Sequence, residues 1–142
     1  MLSLYNQRWS TCHIYQQQKK LRSFVADRGI AMVSYGCLGS PGRKNNPDIG
    51  LPNMLENLVV KSIAERHCVF PSQVCLLFLI QSGIAVIPKS ATPARIKSNL
   101  DIFDFSLSDA EMDSISELHS GKRLFTYHRV KHDGNYLFSE EL

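Results

Sequence analysis

Hydrophobic positions along this chain follow two alternating rhythms. Short runs of β-branched and apolar residues read as buried strands: residues 30–35 (IAMVSY) and residues 84–87 (IAVI), the second buried on both faces as in a parallel sheet. Pro88 ends the second run, because proline has no N–H for a ladder. Residues 11–15 (TCHIY) form a weaker third candidate. Helical spacing fills the intervals. Leu21, Phe24 and Val25 make a stripe over residues 16–28, with Gly29 placed as its C-cap. Leu55, Leu58, Val59, Ile63 and Ala64 make another over residues 53–67, with Asn53 as N-cap. Pro71 opens a third helix to Gln81, with Val74, Leu77 and Phe78 as core and Ser82-Gly83 as its stop. Thr92-Pro93 begins a fourth, a hydroxyl N-cap followed by proline at the first helical position. After the irregular apolar residues 102–107, Ser108-Asp109-Ala110-Glu111 is a capping box for a fifth helix to about Leu118. Strands alternating with helices predict an α/β fold with a parallel sheet.

Composition narrows the function classes. The 142 residues are one domain's length, and 44% hydrophobic with 20% charged residues is ordinary for a globular protein. The net charge of +3 is dispersed, too weak to predict a nucleic-acid partner. The longest apolar run, residues 74–80, is far short of the roughly 20 residues of a membrane span. Residues 1–10 (MLSLYNQRWS) lack the layout of a signal peptide. Cys12, Cys37, Cys68 and Cys75 show no C-x-x-C spacing, so free thiols and a cytoplasmic location are expected. No His/Asp/Glu cluster has metal-ligand spacing, and no G-x-S-x-G elbow occurs.

Two places carry candidate chemistry. Lys89 and Ser90 follow a strand and face a helix N-terminus, whose free N–H groups attract anions. Arg95 falls in the first turn of that helix, where a cation opposes the dipole. Lys89, the Thr92 hydroxyl and Arg95 can converge on one anion, which would offset that opposition. The same spacing fits a solvated surface helix equally well. Tyr35 ends a strand and runs into the glycine-bearing loop Gly36-Cys37-Leu38-Gly39-Ser40; by itself it fits a rim aromatic.

PKSATPARI…N, residues 88–99, resembles the phosphate-binding signature near the C-terminus of the aldo-keto reductases. The resemblance implies that Lys89, Ser90, Thr92 and Arg95 hold the 2′-phosphate of NADP(H) and that Asn99 contacts the adenine. Ser98 stands where the family often has glutamate. Residues 30–40 resemble the segment ending in A-Y-S-x-L-G-S, in which the tyrosine, here Tyr35, stacks on the nicotinamide. The loop that follows, here Gly36, Cys37, Leu38, Gly39 and Ser40, wraps the pyrophosphate, with Gly36 in place of a serine. TCHIY is similar to the family's E-C-H-P-Y, and counting back from Cys12 puts Trp9 at the position of a nicotinamide-stacking glutamine. N-Y-L-F-S at residues 135–139 resembles the N-Y-P-F-S ending of the hydroxysteroid dehydrogenase branch, whose tail folds over the barrel mouth.

The resemblance covers residues 11–142 and sets residues 1–10 apart. It implies the C-terminal part of a (β/α)8 barrel with about three of the eight strands, since a whole barrel takes about 250 residues. Such a piece would leave two open strand edges. The family's catalytic tyrosine, lysine, aspartate and histidine match nothing here, so no catalytic residue is assigned. The expectation is therefore an NADP(H)-dependent carbonyl reductase or hydroxysteroid dehydrogenase by family, truncated and inactive by content. The alternative is an interaction module that binds another reductase chain through a strand edge.

Overall fold

The computed structural model describes residues 6–40, 51–125 and His132. The tail motif at residues 135–139 lies outside them. Three parallel strands, β1 (Gln7–Thr11), β2 (Ala31–Tyr35) and β3 (Ile84–Val86), lie side by side in sequence order. Helix α1 (Lys19–Ala26) connects the first pair; α2 (Leu58–Arg66) and α3 (Pro71–Gln81) connect the second. Helices α4 (Pro93–Leu100) and α5 (Asp109–Ser116) follow. This is an α/β architecture of the kind expected for part of a (β/α)8 barrel. Among the described residues, β1 and β3 are each paired on one side only.

Register assigns the two faces. Met32 pairs with Ile84, and both are buried in the core with Val25 of α1 and the apolar residues of α3. Their side is therefore the helix-covered side. By alternation, Trp9, Thr11, Val33, Tyr35 and Ala85 lie on the other side, in register Trp9–Val33, Thr11–Tyr35 and Val33–Ala85. Trp9 is 56% exposed there.

Helix α3 has apolar residues all round and is the most enclosed element: Gln73, Val74, Cys75, Leu76, Leu77, Phe78 and Leu79 are all buried. Its glutamines fasten loops at both ends. Gln73 Oε1 accepts from Phe70 N–H at 2.8 Å, and its Nε2 donates to the Asp101 carbonyl. Gln81 Nε2 donates to the Leu107 carbonyl (2.9 Å), and its Oε1 accepts from Leu107 N–H (2.8 Å).

Several sequence expectations are corrected. The first strand is Gln7–Thr11, upstream of TCHIY; residues 12–15 instead enter a tight turn in which His13 and Gln16 exchange backbone hydrogen bonds of 3.0 and 2.9 Å. Pairing with β2 outweighs the polar composition of QRWST. It also draws residues that the sequence set apart into the sheet. Residues 84–87 are not buried on both faces: Ile84 is buried, Ala85 exposed and Ile87 42% exposed, because the described helices cover one face of the sheet. Phe24 is exposed, its ring carrying the Arg28 guanidinium at 3.8 Å from the centroid. The helix expected from Asn53 breaks in two. Asn53 caps a 3-10 turn, Met54–Glu56; Asn57, extended at ψ 131°, caps α2 through Oδ1 to Val59 and Val60 N–H. Leu58 consequently faces solvent at 82% exposure, and Val60 takes its place inside. The capping box at Ser108 and Glu111 forms as the sequence predicts.

Two buried ionisable groups tie the fold to pH. Burial pushes the Glu111 carboxyl up, but Ser108 N–H, His67, Arg66 and the Ser108 hydroxyl together hold it at about 2. His13 is fully buried with no hydrogen-bond partner on either ring nitrogen. Burial, with His119 nearby, lowers it from 6.5 to about 4. Between those values the unfolded chain holds more protons, so stability is full above pH 6.5 and falls as pH drops towards 4. At about 1.4 kcal/mol per pH unit the loss is on the order of 3 kcal/mol. Urea unfolding of His13→Leu should lose this dependence between pH 6.5 and 4 and keep the one below pH 4.5 that comes from Glu111.

Candidate functional site

Parallel strands bring the sequence-predicted residues to one end. β2 and β3 point the same way, so the loops after Tyr35 and after Val86 leave the sheet side by side. Ile87 N–H donates to the Ser34 carbonyl at 3.1 Å, and the Ile87 backbone also hydrogen-bonds the Cys37 thiol, which joins the roots of the two loops. In barrels of this kind the carboxyl ends of the strands are the functional end.

The loop after β2 is tightly set. Gly36, Gly39 and Ser40 have φ of 64°, 71° and 52°, and Gly39 N–H closes a turn on the Gly36 carbonyl at 2.9 Å. Cys37 is buried, and burial pushes its thiol up to about 11 against backbone hydrogen bonds that lower it. It is no nucleophile. Leu38 is half-buried against the core. Tyr35 stands on the side of the sheet away from the helices, in register with Thr11 and on the same face as Trp9. The Phe125 ring lies 5.9 Å from the Tyr35 ring, tilted by 32°. Leu124 is fully buried; a Cβ on Gly36 would lie 2.9 Å from its Cδ2 and 3.3 Å from Phe125.

The loop after β3 is open. Lys89, Thr92 and Arg95 are exposed, and neither Lys89 nor Arg95 forms an ion pair among the described residues. The Thr92 hydroxyl does not cap α4, contrary to the sequence reading. Ser90 Oγ accepts Thr92 N–H at 3.2 Å, a local side-chain turn just before the helix. The first turn of α4 holds no carboxylate. Ser98 Oγ donates to the Arg95 carbonyl at 3.1 Å. Asn99 is buried and lines a groove of about 460 Å³ beside β3, with Leu100, Ile102 and Phe103 along it. A second cavity, about 510 Å³ and lined by Lys19, Arg22 and Met32, opens at the amino ends of β2 and β3, away from these loops.

The donor set suits a phosphate monoester: two cations, two hydroxyls and a helix N-terminus with no competing carboxylate. Other reactive side chains among the described residues are enclosed. Tyr15 is buried, its hydroxyl accepting from Asn57 Nδ2 at 3.2 Å. Cys12 and Cys75 are buried thiols pushed up to about 12, chiefly by burial. No group of three or more His, Cys, Asp or Glu side chains among the described residues could hold a metal. No single described helix is long and apolar enough to cross a membrane.

Comparison with known proteins decides the family. A model of the aldo/keto reductase family matches residues 5–120. The chain belongs to the aldo/keto reductase family. The match takes in β1, and with it residues that sequence motifs left unassigned. Rho crystallin of Rana temporaria is 35% identical over 92% of this chain and 40% of its own length. Dihydrodiol dehydrogenase 3 of Bos taurus is 40% identical over 79% of this chain and 35% of its own. A probable NAD(P)H-dependent D-xylose reductase of Emericella nidulans is 41% identical over 78% and 36%. The chain thus spans well under half the length of these relatives.

Sequence motifs did not single out Leu124 and Phe125, which meet Tyr35 and Gly36 only in the fold; the one local signal was an apolar pair in a polar tail. Gly36→Ala places a methyl group against Leu124 at a positive φ, whereas Gly29→Ala, at φ 63°, meets nothing within 4 Å. Denaturant unfolding should show Gly36→Ala losing about 2–3 kcal/mol and Gly29→Ala about 1 kcal/mol.

Proposed function

We propose that this chain is the nucleotide-gripping part of an NADP(H)-dependent carbonyl reductase or hydroxysteroid dehydrogenase, working in the cytoplasm. Lys89, Ser90, Thr92 and Arg95 hold the 2′-phosphate, and Asn99 faces the adenine. The observation that carries the reading is that Lys89 and Arg95 are exposed and form no ion pair among the described residues, beside a Thr92 hydroxyl that does not cap α4. When bound, NADPH would supply the hydride for reducing a carbonyl. The residues described here bind and orient the cofactor, and none of them is assigned the proton transfer, so the chain alone is proposed to be inactive.

A second reading is an interaction module that docks on another reductase chain. The pairing of β3 on one side only among the described residues, beside exposed Leu100 and Phe103, favours it.

The two cations separate NADP(H) from NAD(H), because only the former carries the 2′-phosphate. In equilibrium titrations, Arg95→Ala should weaken NADP+ by about 10- to 100-fold and change 5′-AMP binding little, since charge-assisted contacts are worth about 1.5–3 kcal/mol. NADP+ affinity unaltered in Arg95→Ala would remove the cradle.

A further inference from the structure

The two ends of a dinucleotide meet different surroundings in this chain. On the β3 side the loop is open, with Lys89, Thr92 and Arg95 exposed. On the β2 side the chain itself fills the space. Leu124 is fully buried, packed so closely over Gly36 that a Cβ there would come to 2.9 Å from its Cδ2. Phe125 lies with its ring centroid 5.9 Å from that of Tyr35, the two planes tilted by 32°. Thr11 Cγ2, at 3.3 Å from the same Gly36 point, closes the β1 side. A flat heteroaromatic ring coming to rest on Tyr35 at the carboxyl end of β2 meets this apolar cap first. Removing Leu124 and Phe125 from it would expose two large apolar side chains, which opposes the exchange.

We infer that Leu124 and Phe125 occupy the place over Tyr35 and Gly36 that a dinucleotide's second ring would take, so that the chain is a receptor for 2′-phosphoadenosine nucleotides rather than for the whole dinucleotide. The inference rests on the cradle reading of Lys89, Ser90, Thr92 and Arg95. It specifies the ligand class: a 2′-phosphate and an adenosine are recognised, and whatever is esterified beyond the 5′-phosphate adds nothing. The mismatch between this structure and a fully seated dinucleotide lies in residues of this chain, so it is read by binding and needs no turnover.

Isothermal titration of the full chain with 2′,5′-ADP, NADP+ and 5′-AMP tests it. The expected result is equal affinity, within about threefold, for 2′,5′-ADP and NADP+, with 5′-AMP weaker by about tenfold or more. Phe125→Ala should then tighten NADP+ by about fivefold or more and leave 2′,5′-ADP unchanged. NADP+ binding about tenfold tighter than 2′,5′-ADP in the unaltered chain would overturn the inference and leave the cradle standing. An unchanged NADP+ to 2′,5′-ADP ratio in Phe125→Ala would also overturn it. Equal binding of 5′-AMP and 2′,5′-ADP, or binding of neither, would overturn the cradle and the inference together.

Discussion

Burial of α3 is the constraint on which the rest depends. A parallel sheet cannot be joined by tight hairpins, so each strand pair needs a helical crossover, and that helix must cover the sheet. Pro71–Gln81 meets this demand with apolar residues around its whole circumference, and residues 73–79 are all buried. A polar substitution on any of its faces would enter the core. Gln73 and Gln81 then fix residues 101 and 107, so α3 sets the path of the chain after β3 as well as the strand itself. The placement of α4, and with it Arg95, follows from that packing.

The candidate site is a by-product of the same geometry. Because β2 and β3 run in parallel and share a register, the Tyr35 loop and the Lys89 loop emerge next to each other. Their characters differ. Positive φ at Gly36 and Gly39 lets the first loop turn tightly enough for Leu124 and Met54 to close on it. Among the described residues, the second loop follows a strand paired on one side only and carries cations that form no ion pair. One end of the site is shut by packing; the other is exposed.

Much of this was legible in the residues. Pro71 and Ser82-Gly83 marked both ends of α3, and S-x-x-E marked the start of α5, because these signals act locally. The residues of the proposed cradle were singled out by local spacing together with a family resemblance. Features decided by tertiary partners were not. QRWST is too polar to read as a strand until β2 pairs with it. Asn57 looks like an ordinary helix position, yet its side chain caps α2 and turns Leu58 outward. Ile84 to Ile87 read as doubly buried because composition cannot tell a sheet covered on both faces from one covered on a single face. The Phe125–Tyr35 contact joins positions far apart in the chain, which no spacing rule reaches.

The central claim is that this chain grips the adenosine end of NADP+ and keeps the nicotinamide end out. Saturation-transfer NMR on NADP+ in the presence of the full chain tests it most directly, since both ends report in one spectrum. The account predicts strong transfer to the adenine protons and the adenosine H1′, with little to the nicotinamide protons. Transfer of equal strength to the nicotinamide protons would contradict it.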